Sequence, residues 1–350
     1  MKLTRVFPAL GFVASTISTP LRFSNSYDLE GYGKDNPVGA TTGGADGETI
    51  TVDNVEDLRN ALEGDEPRVV YVSGAFNLTS HLKISSNKSL IGLGAGASFN
   101  NSGIAVQDVT NVILRNLKIS YVYDNDDITI SNSTRVWVDH NEFFSDINHG
   151  PDLYDGQVDI VRASDWITVS WNYFHDHWKS SLVGSSDSLR AVDQGRLHVT
   201  YHHNHWRNTG TRGPAGRFGH QHVYSNYYED YRYQAIHSRS DNQVLVEGNV
   251  FFASSNNNNS SSSNNTGAAE ALSTYGLVIP QDSPNTCTCG DEELDGFANL
   301  GADNDWGADS VNITRTGNFT EAPYAYTLTP LGEVRSVVLA GAGVGKIVVP

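Results

Sequence analysis

Six short segments of the chain repeat one order of apolar and polar positions. Each begins as an alternating apolar strand, continues through polar residues to an asparagine, and ends in an apolar or aromatic pair. The segments are VILRNLKI (112–119), VWVDHNEFF (136–144), ITVSWNYF (167–174), HVTYHHNHW (198–206), HVYSNYY (222–228) and VLVEGNVFF (244–252). Alternation of this kind is typical of a half-buried β-strand, and the segments lack the 3.6-residue apolar period of a helix. The pattern therefore predicts a strand-rich chain.

The asparagines recur at positions 116, 141, 172, 204, 226 and 249, with spacings of 25, 31, 32, 22 and 23 residues. A repeat of roughly 20 to 50 residues indicates a solenoid. We therefore predict an all-β fold, a right-handed parallel β-helix, with Val136, Val138, Ile167 and Val169 stacked in its core. At a sharp bend, asparagine tolerates a left-handed backbone and can hydrogen-bond to the next rung. The longer intervals predict loops that bulge from one face and form a cleft.

The flanking segments extend this picture. EPRVVYVSGAF (66–76) and NKSLIGLGAG (87–96) read as earlier rungs, so we predict one domain over residues 20–350. The Asn/Ser-rich tract at 254–267 predicts a mobile loop. Residues 1–19 combine basic Lys2 and Arg5 with a short apolar run, which is typical of a secretory signal and too short to span a bilayer.

The N-terminal signal leads us to expect a secreted protein. The signal could be cleaved near Ala14, Ser15 or Ser18, and the chain carries no second apolar stretch long enough for a membrane helix. We expect a secreted monomer that does not associate with membranes. Glycosylation acceptors of the Asn-X-Ser/Thr type, which predict a glycoprotein, occur at Asn77, Asn87, Asn100, Asn132, Asn312 and Asn318.

The charge of the chain narrows the choice of partners. Its 23 Lys and Arg against 40 Asp and Glu give a formal charge of −17. Such a chain lacks the basic field that nucleic-acid binding needs, and it would repel a polyanion unless local basic residues or a bound cation reversed the field. The two cysteines, Cys287 and Cys289, are too close for an unstrained disulfide and too few for a zinc site. We interpret them as incidental or as a strained pair.

Two acidic groups on the middle rungs are candidates for a cation site. Asp124 and Asp126 lie in YDNDD, and Asp155 and Asp159 lie in LYDGQVDIV. Calcium takes six to eight oxygen ligands, and parallel rungs are only about 4.8 Å apart. Residues four apart in a straight strand are about 13 Å from each other, so Asp155 must lie on a turn, which Gly156 would permit. Solvated loop acids and the paired carboxylates of a glycoside hydrolase are the alternatives.

Two arginines lie close together in TRGPAGRFGH, where Arg212 and Arg217 flank Pro214. Arginine holds carboxylates in fixed geometry, although an exposed, solubilising turn is the simpler interpretation of such a pair. Nearby aromatic residues offer a sugar-stacking platform in Trp171, Trp178 or Trp206, of which Trp178 is the best placed.

Several histidines and one acid–base pair are also candidates. The histidines could form a transition-metal site, but ordinary strand and loop histidines fit them better; they are His198, His202, His203, His205, His220 and His222. Asp139 and His140 resemble a catalytic acid–base pair. We favour a structural role for this pair over a catalytic one.

Three motifs together resemble the extracellular pectate lyases of polysaccharide lyase family 1, especially the fungal ones. They are VWVDHNEFFSD, YDGQVDIVRASDWITVSWNYFHDHWKSSLVG and R-x-P-x-x-R-F-G, and the resemblance covers roughly residues 43–252. It implies a parallel β-helix that binds de-esterified polygalacturonate through Ca²⁺. The implied calcium ligands are Asp126, Asp155 and Asp159, with Asp124 as a possible fourth.

The resemblance also implies roles for the basic residues. Arg212 matches the residue that abstracts a proton, and Lys179 and Arg217 match residues that bind substrate carboxylates. The implied reaction is β-elimination, in which the C5 proton of a uronate is removed and O4 leaves. Free arginine is normally charged, so Arg212 could act as base only where neighbouring positive charges favour its neutral form, which predicts an alkaline optimum. Pectin lyase, a polygalacturonase and a non-catalytic uronate-binding β-helix remain the competing functions.

Overall fold

The computed structural model describes residues 27–95, 97–254, 276–280 and 294–349. Three features of the sequence lie outside the described residues: the predicted signal at 1–19, the Asn/Ser-rich tract from residue 255 onwards, and the two cysteines. Within these ranges, no helix is both long and apolar enough to cross a membrane.

The strands form three parallel sheets. Sheet A contains β1 (Glu48–Val52), β2 (Arg68–Val72), β5 (Lys88–Gly92), β8 (Thr110–Arg115), β11 (Thr134–Asp139), β14 (Asp165–Ser170), β17 (His198–His202), β20 (His220–Tyr224), β23 (Gln243–Glu247) and β26 (Phe297–Leu300). Sheet B contains β3 (Ala75–Asn77), β6 (Ser98–Asn101), β9 (Lys118–Val122), β12 (Glu142–Phe144), β15 (Tyr173–Lys179), β18 (His205–Thr211), β21 (Tyr227–Glu229) and β24 (Val250–Phe252). Sheet C contains β4 (Leu82–Ile84), β7 (Ile104–Gln107), β10 (Ile128–Ser131), β13 (Val158–Val161), β16 (Leu182–Val183), β19 (Ala215–Gly216), β22 (Gln234–Ser238) and β25 (Gly276–Ile279).

The chain passes from sheet A to sheet B to sheet C on each rung, and each strand pairs in parallel with the equivalent strand of the next rung. The fold is therefore a parallel β-helix, which confirms the prediction. The helices are α1 (Val55–Leu62), α2 (Arg190–Asp193) and α3 (Leu331–Gly341), with single 3₁₀ turns at Gly31–Gly33 and Asp187–Leu189.

The core runs along the inside of the helix as stacked columns of side chains. Val136 pairs with Ile167 and Val138 with Val169, and all four are fully buried, as predicted. Sheet B contributes an aromatic column of stacked rings, formed by Phe143, Phe174, Trp206, Tyr228 and Phe251. Trp206 is fully buried in this column, so its predicted membership of a sugar-stacking platform is wrong.

Five of the six repeated asparagines form a continuous ladder at the bend between sheets A and B: Asn141, Asn172, Asn204, Asn226 and Asn249. Asn116 lies outside it, because Asn141 Oδ1 accepts from the backbone N–H of Leu117 instead. In each of the middle rungs the asparagine Oδ1 accepts from the backbone and side-chain amides of the asparagine one rung earlier, as Asn172 does from Asn141. The ladder continues through Asn204 and Asn226 to Asn249 and then to Asn304. The predicted bond between an asparagine amide and a neighbouring rung is therefore confirmed.

The backbone of the ladder differs from the expectation in one respect. Asn116 has a left-handed φ of 59° and lies in register with His140, not with Asn141. On the later rungs the residue before the asparagine has the positive φ, as His140, Trp171 and His203 do at 53°, 54° and 55°. The asparagine side chain therefore stabilises a bend that its neighbour makes.

The terminal segments pack against the outer faces of the sheets. The turn Gly31–Gly33 lies on sheet A, where the backbone N–H of Tyr32 donates to Thr200 Oγ1 at 3.0 Å. Helix α3 packs Val334 and Val338 against Tyr227 and Val250 of sheet B. These segments cover parts of sheets A and B, and most of the candidate site residues lie on or beside the connections that lead from sheet B to sheet C.

Candidate functional site

Five of the predicted site residues lie on the sheet B to sheet C connections of consecutive rungs or in the strands that flank them. Asp126 lies between β9 and β10, Asp155 precedes β13, and Asp159 lies within β13. On the next rungs Lys179 ends β15, and Arg212 follows β18 directly. Register brings these positions together, because Thr129 pairs with Asp159, Gly156 with Lys179, and Lys179 with Thr211. The structure thus places these five residues in one row across four rungs, which we call the charged row.

Asp159 is buried and Asp126 is partly buried, and hydrogen bonds hold both carboxylates. Asp126 Oδ1 accepts from the backbone N–H of Gly156 at 3.0 Å, and its Oδ2 accepts from Thr129 Oγ1 at 2.7 Å. Asp159 Oδ1 accepts from the backbone N–H of Leu182 at 3.0 Å. A Cβ on Gly156 would lie only 2.3 Å from Asp159 Oδ1, so the carboxylate can lie here only because this position is glycine.

Asp155 and Asp124 are the more exposed acids. Asp155 Oδ1 lies 2.8 Å from Lys179 Nζ, and its side chain is about half exposed at 52%. Asp124 is exposed and has a left-handed φ of 55°. Its backbone N–H donates to Leu153 O at 3.4 Å, which links the connection that carries Asp126 to the one that carries Asp155. Asp155 therefore belongs to the charged row, with Asp124 at its solvent edge.

Burial and mutual repulsion raise the pKa values of three carboxyl groups in and beneath the charged row. Burial raises the pKa of Asp126, and repulsion from Asp155 adds to the rise. Burial and repulsion from Asp126 raise the pKa of Asp159 well above its usual range, although Arg212 opposes the rise. The pKa of Asp127 is likewise well above its usual range, owing to burial and to repulsion from Asp126 and Asp159. A cation beside these groups would favour their ionised forms.

Arg212 lies at a bend of the chain. Its φ is 65°, a left-handed value that also occurs at other bends of this β-helix, such as His140 and Trp171. Its Nη1 lies 4.0 Å from Asp159 Oδ2, and its side chain is 21% exposed. The peptide bond between Gly213 and Pro214, just beyond it, is cis. The guanidinium is therefore directed at the acidic part of the charged row.

Arg217 is directed elsewhere. It is 6% exposed, its Nε donates to Asp187 Oδ1 at 2.9 Å, and its Nη1 donates to Gly184 O at 3.0 Å. The two guanidinium groups flanking Pro214 therefore have different partners, Asp159 for Arg212 and Asp187 with Gly184 for Arg217.

The two remaining tryptophan candidates have different surroundings. Trp178 donates its Nε1–H to Ile147 O at 2.9 Å, and its ring lies against Gly210 and 5.7 Å from the ring of Tyr233. It remains partly exposed beside Lys179, so substrate stacking on it stays a prediction. Trp171 stacks on His203 at 4.2 Å and packs against Gly341 of α3, contacts that support a packing role.

The sequence reasoning missed a set of buried polar side chains beneath the charged row. Asp127, Gln157 and Ser180 occupy equivalent positions on three consecutive rungs, and all are buried. Asp127 Oδ2, both amide atoms of Gln157 and Ser180 Oγ have no hydrogen-bond partner among the described residues. The sequence signal was the second aspartate of NDD, but only the fold shows that Asp127, just before β10, is buried, at 3% exposure.

His177 was also missed. It is 2% exposed, its Nδ1 lies 2.6 Å from Ser145 Oγ, and its Nε2 lies 2.7 Å from Asp155 O. It lies two residues before Lys179 in the motif HDHWK, which was the available signal. The sequence alone could not indicate which of the two histidines in that motif faces the connection that carries Asp155.

The other histidines and the Asp139–His140 pair have structural contacts. His203 Nε2 lies 2.8 Å from Thr329 Oγ1, and His222 Nε2 lies 2.8 Å from Glu247 Oε1. Asp139 is fully buried, 2.6 Å from both Arg115 Nε and His140 Nδ1. These contacts support the interpretation of ordinary structural residues.

The charged row partly fits a calcium ion. Carboxylate oxygens are the ligands that calcium prefers, and buried, mutually repelling carboxylates are what a divalent cation would stabilise. Within the part of the chain that the structure describes, however, no three acidic, histidine or cysteine side chains converge into a complete metal-binding group. The row therefore suits calcium in its chemistry and would supply only part of the coordination shell.

The fold and the charged row define a parallel β-helix protein with acidic and basic side chains aligned along its length. Residues 12–347 match the family model described as pectate lyase, so the chain belongs to the pectate lyase family, which consists of polysaccharide lyases. It is 40% identical over 308 residues to pectate lyase A of Aspergillus niger, covering 87% of this chain and 84% of that protein. It is 44% identical over 215 residues to pectate lyase plyB of Emericella nidulans, covering 61% of this chain and 66% of that protein.

A solved structure agrees with this assignment. The crystal structure of a pectate lyase from Bacillus sp. N165 in complex with trigalacturonate superposes with a TM-score of 0.74 at 30% identity. The match covers 91% of this chain and 99% of that one. The resemblance seen in the sequence motifs is thereby confirmed.

Proposed function

We propose that this protein is a calcium-dependent pectate lyase that cleaves de-esterified (1→4)-α-D-galacturonan by β-elimination to 4,5-unsaturated oligogalacturonides. The observation that carries the proposal is the charged row, in which Asp126, Asp155 and Asp159 lie beside Lys179 and Arg212 on consecutive rungs. The related Bacillus enzyme, whose crystal structure contains trigalacturonate, supports a galacturonate chain as the substrate.

The aspartates are the proposed calcium ligands, with Asp124 at the edge as a fourth. Bound calcium would offset their charge, bridge them to uronate carboxylates and make the C5 proton more acidic. Lys179 is placed to bind a substrate carboxylate, and the partly exposed Trp178 beside it to contact a sugar ring. We retain Arg217 as a substrate ligand only on the strength of its motif, since its present partners are Asp187 and Gly184.

Arg212 is the proposed base. Its guanidinium lies 4.0 Å from the Asp159 carboxylate. A guanidinium is normally protonated and in that form cannot accept a proton. The role therefore requires the charge of Asp159 to be offset and Lys179 to contribute its own positive charge. This requirement predicts activity that rises toward alkaline pH, and a pH–rate profile with its maximum in the acid range would count against Arg212 as the base.

The test is a lyase assay on polygalacturonate that follows the ultraviolet absorbance of the unsaturated product, with and without a chelator. We expect absorbance that a chelator abolishes and added calcium restores. Reducing ends without absorbance would instead indicate a hydrolase, and faster cleavage of methyl-esterified pectin would indicate a pectin lyase. Binding without either product would indicate a non-catalytic uronate-binding protein.

We further propose that the protein is secreted as a single-domain, glycosylated monomer that associates with neither membrane nor nucleic acid. The apolar N-terminal run, the Asn-X-Ser/Thr acceptors and the charge of −17 support this proposal. Mass spectrometry of the secreted product would give the cleavage site and the glycans, and light scattering would give the oligomeric state.

A further inference from the structure

The connection that carries Asp155 is long and irregular. Residues 145–157 link β12 to β13 without forming a helix or a strand, apart from an isolated bridge at Gly156. Fixing the backbone of each residue in such a segment costs about 1–2 kcal/mol of conformational entropy. Asp155 can therefore hold a defined place in the charged row only if specific contacts fasten this connection.

Three consecutive residues at the end of β15 supply part of those contacts, in addition to the bond from Gly156 N–H to Asp126 and the bond from Asp124 N–H to Leu153 O. His177 contacts both Ser145 and the backbone oxygen of Asp155, Trp178 donates to Ile147 O, and Lys179 pairs with the Asp155 carboxylate. His177 alone reaches both ends of the connection, because Ser145 begins it and Asp155 lies near its end.

The hydrogen bonds define the state of the imidazole ring. A backbone carbonyl can only accept, so Nε2 of His177 carries a proton and donates it to Asp155 O at 2.7 Å. In the neutral ring Nδ1 then accepts from the Ser145 hydroxyl at 2.6 Å. Both His177 and Ser145 are buried, at 2% and 5% exposure, so water cannot readily replace either bond.

We propose that His177 is a positioning residue that fastens the connection carrying Asp155 to the end of β15 and so sets the distance between Asp155 and Lys179. Its consequence for catalysis rests on the proposed function, since Asp155 is there a calcium ligand and Lys179 a substrate ligand. The fastening itself is a property of the fold and can be measured without any activity.

The experiment compares wild type with His177→Phe, His177→Gln and Ser145→Ala by hydrogen exchange and by calorimetric titration with CaCl₂. His177→Phe removes both bonds, Ser145→Ala removes one, and the glutamine amide can still donate to Asp155 O. His175→Phe is the matched control, because His175 lies on the same strand, contacts Glu142 and Asp176, and already stacks on Phe144.

We expect faster exchange confined to residues 145–157 in His177→Phe, and calcium binding weaker by about tenfold, as the loss of one or two buried hydrogen bonds implies. Ser145→Ala and His177→Gln should lie between His177→Phe and wild type, and His175→Phe should match wild type. Wild-type exchange and calcium affinity in His177→Phe would overturn the proposal. Exchange that rises equally throughout the molecule would overturn it as well, because it would show a general structural role.

The proposed function and the role of His177 can be tested separately. If wild-type protein forms no unsaturated product from polygalacturonate, the proposed function fails, and the exchange data still decide whether His177 fastens the connection. If wild type is active, His177→Phe should raise KM for polygalacturonate at limiting calcium, with a smaller effect at saturating calcium. Ser145→Ala keeps this comparison available should His177→Phe fail to fold.

Discussion

Replacing Asn172 with alanine should strongly destabilise the protein. The Asn172 side chain accepts from the backbone and side-chain amides of Asn141, both at 2.9 Å, and donates to Val138 O at 2.9 Å and to Asn204 Oδ1 at 3.0 Å. Alanine leaves the two Asn141 donors and Val138 O without this partner, in a place where the asparagines are fully buried. At about 1–1.5 kcal/mol for each of three groups, the free energy of unfolding should fall by about 3–5 kcal/mol.

The assay is equilibrium unfolding in urea followed by circular dichroism, where a lower midpoint at unchanged slope reports lost stability. Two controls calibrate it. Asn304→Ala removes the half-buried end of the ladder, where water can replace part of the loss, and should cost less than Asn172→Ala. Asn132→Ala removes an exposed bond to Asp108 and should cost about 0.5 kcal/mol or less. A loss below about 1 kcal/mol in Asn172→Ala would refute the view that the ladder stabilises the rungs.

Three further predictions concern charge. Asp159→Asn should lower lyase activity but leave the thermal unfolding temperature, measured in chelator, unchanged or higher, because it removes a buried charge that repels Asp126. Asp152→Asn, at an exposed position, is the control. A lower unfolding temperature in Asp159→Asn would contradict the reasoning. Lys179→Met should lower kcat/KM on polygalacturonate by about 10- to 100-fold, chiefly by raising KM, and Lys179→Arg should recover part of the loss. Kinetics of Lys179→Met equal to those of wild type would exclude the proposed contact between Lys179 and the substrate. Burial lowers the pKa of His203 in the folded protein to about 3, from 6.5 in the unfolded chain. As the pH drops below 6.5, His203 is therefore protonated in the unfolded chain before it is protonated in the folded protein. The free energy of unfolding should fall as a result, by about 2 kcal/mol at pH 5. His203→Gln should show a shallower slope in urea titrations between these pH values, and an identical slope would remove His203 as the cause.

The architecture was predictable because its cause is periodic. The alternation that buries Val136 and Val138 and the recurrence of asparagine at each bend are both properties of short segments, and they need no knowledge of distant contacts. The row of Asp126, Asp155 and Asp159 was predictable in outline for the same reason, since equivalent positions on consecutive rungs must lie close together. Glycine at position 156 is needed for a reason other than the turn expected of it, because a Cβ there would lie 2.3 Å from Asp159 Oδ1.

Side-chain direction was harder to predict wherever the strand is irregular. Asp176 and Asn208 have left-handed φ values of 49° and 52°, and these bends interrupt the simple alternation on β15 and β18. Arg217 follows a two-residue strand and meets Asp187, thirty positions earlier in the chain, a contact that no local pattern indicates. Trp206 lies in a run of histidines that looks exposed, yet its register with Phe174 places it in the aromatic column.

The charged row also explains how an acidic protein could bind an acidic polymer. Its two basic side chains already face carboxylates, Lys179 at 2.8 Å from Asp155 and Arg212 at 4.0 Å from Asp159, so they do not form an isolated positive patch. Three ionised carboxylates would outweigh these two cations, and a uronate chain would be repelled. A divalent cation reverses that balance and at the same time reduces the hold of the aspartates on Lys179 and Arg212. Affinity for polygalacturonate should therefore depend on calcium even in an Arg212→Ala variant that cannot turn the substrate over, which separates the binding role of the ion from its role in the reaction.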